Sequence, residues 1–187
     1  THGLVRPPVD ALRIAQDRLR EKTYAVERGG VTAPFMAVDS LADLEVALSQ
    51  IGTPSILKTN RFGYDGKGQV RLSQETSAAA AWDAIGHAPS ILEGLVRFDE
   101  EFSVILVRGM DGDIRFWDSP GNVHVDGILA TSTVPAGPLI AGQIEAARLL
   151  AGKIANSLDY VGVLTLEFFA SADGPIFNEM APRVHNS

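Results

Sequence analysis

The sequence predicts an α+β fold built as two lobes. Up to about Val96, short apolar runs alternate with helical stretches. Beyond it, longer strand-like runs come in turn-linked pairs around one long amphipathic helix. The composition suits a packed domain: 187 residues, 45% hydrophobic and 21% charged. A chain of that length buries roughly two-thirds of its unfolded surface.

The elements follow in order. "PPVDALRIAQDRLREKTYAVERGG" reads as one helix, with Asp10 as N-cap and Leu12, Ala15, Leu19, Ala25 and Val26 at helical spacing. Gly29-Gly30 stops it. "TAPFMAV" is a short strand, and "SLADLEVALSQIG" is a helix capped by Ser40 and closed by Gly52. "PSILKTN" and "GQVRLS" are strands flanking a glycine-rich loop, "TSAAAAWDAIG" is a helix and "PSILEGLV" a strand. "EFSVILVRGMDGDIRFWD" is a hairpin turning at Met110-Asp111-Gly112-Asp113, because Asp-Gly favours a tight turn. "GILATSTVPA" is a strand that His124 precedes, and "PLIAGQIEAARLLAGKIANSLD" is the longest helix. "GVLTLEFFASADGPIFNEMAPR" is two strands around Ala172-Asp173-Gly174.

Charge narrows the partners. A net charge of −7 argues against nucleic acid, whose phosphates are gripped by clustered Lys and Arg. No apolar run approaches the roughly 20 residues of a membrane span. The chain has no cysteine, which excludes thiolate chemistry and fits a cytoplasmic protein. The ends, "THGLVR" and "APRVHNS", are expected to be cut ends of a longer protein.

Three segments carry chemistry. In "KTNRFGYDGKGQV", Gly63, Gly66 and Gly68 free backbone N–H groups to form an anion nest, with Lys67 inside the loop and Lys58 on the strand before it. An ordinary glycine-rich hairpin turn is the alternative. Glu167 in "LTLEFF" and Glu179 in "IFNEM" lie among apolar residues on two strands of one hairpin, which can bring them face to face. Two adjacent carboxylates repel, and a cation compensates them; Mg²⁺ shared with phosphates suits oxygen ligands in this number. Exposed edge-strand glutamates are the alternative. "APRVHN" groups Arg183, His185 and Asn186, a set suited to an oxyanion or to a polar surface loop.

In order, "AQDRLREK", "TAPF", "KTNRFGYDGKGQ", "ILEGLVRFDEEFSVILVRGMDG", "NVHVDGIL", "GVLTLEFF" and "NEMAPRVHNS" resemble the ATP-grasp region of the N5-carboxyaminoimidazole ribonucleotide synthetase family. The resemblance runs from about Arg6 to Ser187. It implies an ATP-grasp fold over residues 1–187, with the nucleotide in a cleft between a lid lobe (18–95) and a larger, metal-holding lobe (96–187). Arg18 and Lys58 would contact ATP phosphates. Gly63, Tyr64, Asp65, Gly66, Lys67, Gly68 and Gln69 would close as a lid. Glu93, Gly94, Leu95 and Val96 would read adenine largely through backbone groups, Glu101 would hold the ribose, and His124 would contact the nucleotide. Glu167 and Glu179 would hold Mg²⁺, with Asn178 in support. Arg183, His185 and Asn186 would face bicarbonate or aminoimidazole ribonucleotide, and Arg183, Lys58 and Glu179 would carry the catalytic work.

The implied activity is ATP-dependent carboxylation of 5-aminoimidazole ribonucleotide in purine synthesis, by a homodimer with further domains at either end. A formate-dependent glycinamide ribonucleotide transformylase and a catalytically silent nucleotide-binding module are the competing readings. Two departures from the family pattern stand out. "TNRFGYDG" lacks a second arginine and an extra glycine before the Tyr, and "DSPGNVH" lacks an acidic residue before the Asn.

Overall fold

The computed structural model describes residues 5–61, 63, 68–125 and 127–187. The lid calls at Tyr64, Asp65, Gly66 and Lys67 lie outside the described residues. Two antiparallel sheets form the frame. The smaller has the order β1 (Phe35–Val38), β4 (Ser90–Gly94), β2 (Ser55–Thr59), β3 (Gln69–Leu72). Helices α3 (Leu41–Ile51) and α4 (Ala78–Ala84) pack with it, gathering Val38, Leu44, Ala47, Leu57, Leu72, Trp82 and Leu92 into one core.

Helix α3 begins where Ser40 accepts from the Asp43 N–H at 3.2 Å and donates its hydroxyl to the Asp43 carboxylate at 2.7 Å. It ends at Gly52, whose φ of 80° is readily adopted only by glycine. Side chains alternate across a strand, so burying Leu57 and Leu92 turns Lys58 and Glu93 to the opposite face.

The larger sheet runs β10 (Gly174–Ala181), β9 (Gly162–Ser171), β5 (Glu100–Arg108), β7 (Gly121–Val125), β8 (Ile128–Thr133), with β6 (Ile114–Phe116) also pairing with β5. Helix α6 (Ile144–Ser157) covers one face, and its Ala147, Ala151 and Ile154 meet Phe102, Val104 and Leu106 of β5 and Leu164, Leu166 and Phe168 of β9. Burying one of these phenylalanines contributes about 1.5–3 kcal/mol. The same alternation turns Glu101, Ser103, Thr165, Glu167 and Phe169 to the other face.

Strand β10 departs from strict alternation. Phe177 pairs with Phe168 and Glu179 with Glu167, so Asn178 is an extra residue in a β-bulge. Without it, burial of Phe177 would carry Glu179 into the core. With it, Phe177 and Met180 both stay buried, and Glu179 joins Glu167 on the open face.

The structure corrects the reading of several elements. The first helix is two helices, α1 (Val9–Ala15) and α2 (Arg18–Glu27). Asp17, not Asp10, caps the second, because its carboxylate accepts from the Arg20 N–H and Asp10 lies in the first turn of α1. The long helix is likewise divided near Gly142, into α5 (Pro138–Ala141) and α6. His124 does precede the expected strand, β8, but it lies within a strand of its own, β7, whose pairing with β8 shifts by a residue beside it. The α2 helix, expected to open the lid lobe, buries Ala25 in the core of the larger sheet.

Candidate active site: two carboxylates on a bulged hairpin

The site is the space between the open faces of the two sheets. A pocket of about 240 Å³ is lined by Lys58 and Glu93 from the smaller sheet and by Glu101, His124, Glu167 and Glu179 from the larger. A second pocket of about 510 Å³ is lined by Gln16, Asn60, Arg61 and Arg183 among others. Arg18, Glu21 and Glu179 border both, so the two are ends of one cleft.

Each charge has a partner that fixes it. Lys58 Nζ donates to Glu93 Oε2 at 3.0 Å, and Lys22 Nζ lies 3.6 Å from the same oxygen. Burial acts to raise the Glu93 pKa, but Lys22 and Lys58 outweigh it and hold the carboxyl below its usual range. The Glu93 side chain is therefore committed to the lysines through Oε2, while its buried Oε1 has no partner among the described residues. The N–H groups of Gly94 and Leu95 are already donated to the Pro34 and Pro54 carbonyls, at 2.9 and 3.2 Å. Val96 lies just beyond the end of β4, after Leu95.

On the larger sheet, His124 Nδ1 and Glu101 Oε2 are 2.5 Å apart. Burial raises the Glu101 pKa, His124 opposes it, and nearby Glu167 adds to it. Glu179 is raised first by burial and next by Glu167, with Arg18, Lys58 and Lys22 pulling the other way. Arg18 Nη1 lies 3.8 Å from Glu179, and its Nη2 donates to the Gly63 carbonyl at 3.1 Å. Glu167 is met from the C-terminal segment, where His185 Nε2 sits 2.7 Å from Oε1 and Ser187 Oγ lies 2.8 Å from His185 Nδ1.

The structure thus gathers Arg18, Lys58, Gln69, Glu93, Glu101, His124, Glu167, Asn178 and Glu179 around one pocket. Arg183 lines the other pocket, while His185 turns to Glu167. Asn186 is exposed and borders neither.

Glu21 and Lys22 are site residues that sequence reasoning passed over. With Arg18 they occupy positions i, i+3 and i+4 of α2, one face of the helix. Both are buried, and both line the pocket. Burial, and then Glu179, push the Glu21 pKa well above the ordinary carboxylate range. Since the folded state holds this proton more tightly than the unfolded state, stability on this account is full at low pH. It declines as pH rises from the unfolded pKa toward the folded one, by up to about 1.4 kcal/mol per pH unit. Glu21→Gln should therefore gain on the wild type in urea unfolding as pH rises above the ordinary carboxylate range. A difference independent of pH would contradict the raised pKa.

Comparison with known proteins places this geometry in a family. The family model described as the ATP-grasp domain matches residues 24–187. The chain belongs to the ATP-grasp family. This ATP-grasp chain is 54% identical, over 99% of its length, to N5-carboxyaminoimidazole ribonucleotide synthase of Brucella melitensis, covering 52% of that protein. The N5-carboxyaminoimidazole ribonucleotide synthetase of Thermus thermophilus superposes with a TM-score of 0.90 at 45% identity, over 97% of this chain and 49% of that one. The Aspergillus clavatus synthase in complex with ADP and 5-aminoimidazole ribonucleotide gives 0.82 at 25% identity, over 97% and 48%. The ATP-grasp chain spans about half the length of the curated relatives it matches. No helix of its described residues is long and apolar enough to cross a membrane.

The site suits a hard divalent cation. Glu167 and Glu179 sit directly opposite each other, and each raises or is raised by a neighbouring carboxylate that a cation would relieve. Among the described residues no group of three or more His, Cys, Asp or Glu is placed to hold a metal ion. Two carboxylates leave coordination positions for water and phosphate, which is the habit of Mg²⁺ in phosphoryl-transfer sites.

Proposed function

We propose that this chain forms the nucleotide site of a cytoplasmic, homodimeric ligase that carboxylates 5-aminoimidazole ribonucleotide with bicarbonate, consuming ATP, in purine biosynthesis. The observation that carries the reading is the bulged hairpin, which sets Glu179 opposite Glu167 on the cleft face within one pocket with Lys58. The likeness to the synthetases above supports the choice of acceptor.

Bicarbonate carbon is a poor electrophile, shielded by resonance and negative charge. Attack of a bicarbonate oxygen on the γ-phosphorus forms an O–P bond and breaks the bond to ADP. The product, carboxyphosphate, has a leaving group on its carbon. The exocyclic amine then attacks that carbon, directly or after CO₂ is released in the closed site. Phosphate leaves, and the amine loses a proton to give the N5-carbamate.

The protein's part is positioning and charge neutralisation. Lys58 and Arg18 offer cations to the phosphates, and Arg183 at the wider end of the cleft holds bicarbonate. Mg²⁺ held by Glu167 and Glu179, with Asn178 beside them, would draw charge from the transferring phosphoryl group. No covalent nucleophile is required. The test is ADP release by the full-length protein with Mg-ATP, the ribonucleotide and bicarbonate, each omitted in turn. Loss of activity on omitting either acceptor supports the reading. Release that needs formate in place of bicarbonate contradicts it.

A further inference from the structure

A β-bulge takes backbone groups out of the strand ladder, and buried ones need other partners. On β10 the bulged residue is Asn178, immediately before Glu179. Two backbone groups beside it are taken by helix α2. The Asn178 carbonyl accepts from Lys22 Nζ at 3.2 Å, and the Met180 N–H donates to Glu21 Oε1 at 2.6 Å. Adjacent residues of one helix thus grip the strand on either side of Glu179. Lys22 also reaches Glu93 of β4, so the same grip ties the bulge to the smaller sheet.

We propose that Glu21 and Lys22 are positioning residues that pin this bulge and so aim Glu179 into the cleft. The inference rests on Glu179 holding Mg²⁺ in the reading above. Neither residue is asked to touch a reacting atom. Glu21 offers an acceptor, Lys22 a donor, and the bulge would otherwise relax toward the regular register that turns Glu179 inward. Supporting groups of this kind typically alter metal affinity or activity by about 10–100-fold when removed.

The test compares Glu21→Leu, which keeps side-chain bulk but removes the acceptor, with Glu21→Gln, which keeps an acceptor oxygen. Amide hydrogen exchange across 174–181 is measured in the nucleotide-free full-length protein, alongside the Mg²⁺ concentration for half-maximal activity. Expected for Glu21→Leu are faster exchange at Met180 and a Mg²⁺ requirement raised about tenfold, with Glu21→Gln close to wild type. Unchanged exchange and an unchanged Mg²⁺ requirement in Glu21→Leu would overturn the clamp.

Where Glu21→Leu does not fold, Lys22→Met removes the other grip, and Glu93 keeps its ion pair with Lys58, so no buried charge is left unpaired. The same faster exchange is expected there, and unchanged exchange would again overturn the proposal. Failure of the underlying reading looks different. A Glu179→Gln protein as active as wild type removes the metal role itself. An inactive Glu179→Gln beside a fully normal Glu21→Leu removes only the clamp.

Discussion

Glu179→Gln leaves a folded protein that no longer turns over. The substitution keeps the shape of the side chain and deletes the charge that faces Glu167 across β9 and β10. In the empty protein that charge is a burden, since burial and Glu167 both raise its pKa. Its removal should leave thermal stability near neutral pH unchanged or improved, even though the weak ion pair with Arg18 at 3.8 Å is lost. Turnover should fall by about 10²–10³-fold or more, the scale of deleting one preorganised charge-stabilising group. Stability kept while activity collapses is the signature of a residue retained for chemistry rather than for folding. Near-normal ATP hydrolysis by the variant would remove Glu179 from the metal site.

Lys58→Met is expected to act on binding. Lys58 is set on the cleft face by the burial of Leu57, and its ammonium holds Glu93 at 3.0 Å. Methionine keeps much of the stem and removes both the proposed phosphate contact and one of the cations that hold the Glu93 pKa down. ADP affinity measured by calorimetry should weaken by about tenfold or more, since a charged hydrogen bond contributes about 1.5–3 kcal/mol. The Michaelis constant for ATP should rise with it. Unchanged affinity would place the triphosphate elsewhere in the cleft.

Much of this arrangement was legible in the chain. Ser40 and Gly52 bracket α3 as their chemistry requires, and "VRGMDGDIRF" turns where Asp-Gly stands. The facing glutamates follow from two strands and a turn. The bulge that aligns them was not read from the chain and shows only once the burial of its neighbours is known. Phe177 and Met180 stand three apart in a strand, and both can be buried only if one residue between them is extra.

Other features escaped for physical reasons. The break between α1 and α2 turns on Asp17 acting as a cap, and helical periodicity runs on through it unbroken. Strand β7 leaves Val123 and Val125 exposed, so its pattern carries no burial signal. Arg18, Glu21 and Lys22 share a helix face that spacing alone reveals. What they grip lies on β10, about 160 residues further along, and a contact at that separation leaves no local trace. His185 escaped likewise, since it lies beyond the end of β10 and its partner Glu167 stands on β9.

The most direct measurement follows one oxygen atom. Full-length protein is supplied with Mg-ATP, 5-aminoimidazole ribonucleotide and bicarbonate labelled with heavy oxygen, and the released phosphate is weighed by mass spectrometry. If a bicarbonate oxygen attacks the γ-phosphorus, each phosphate carries one labelled oxygen and the carbamate forms in equal amount. Unlabelled phosphate released at the full rate would mean that water, not bicarbonate, receives the phosphoryl group, and the carboxylation account would be wrong.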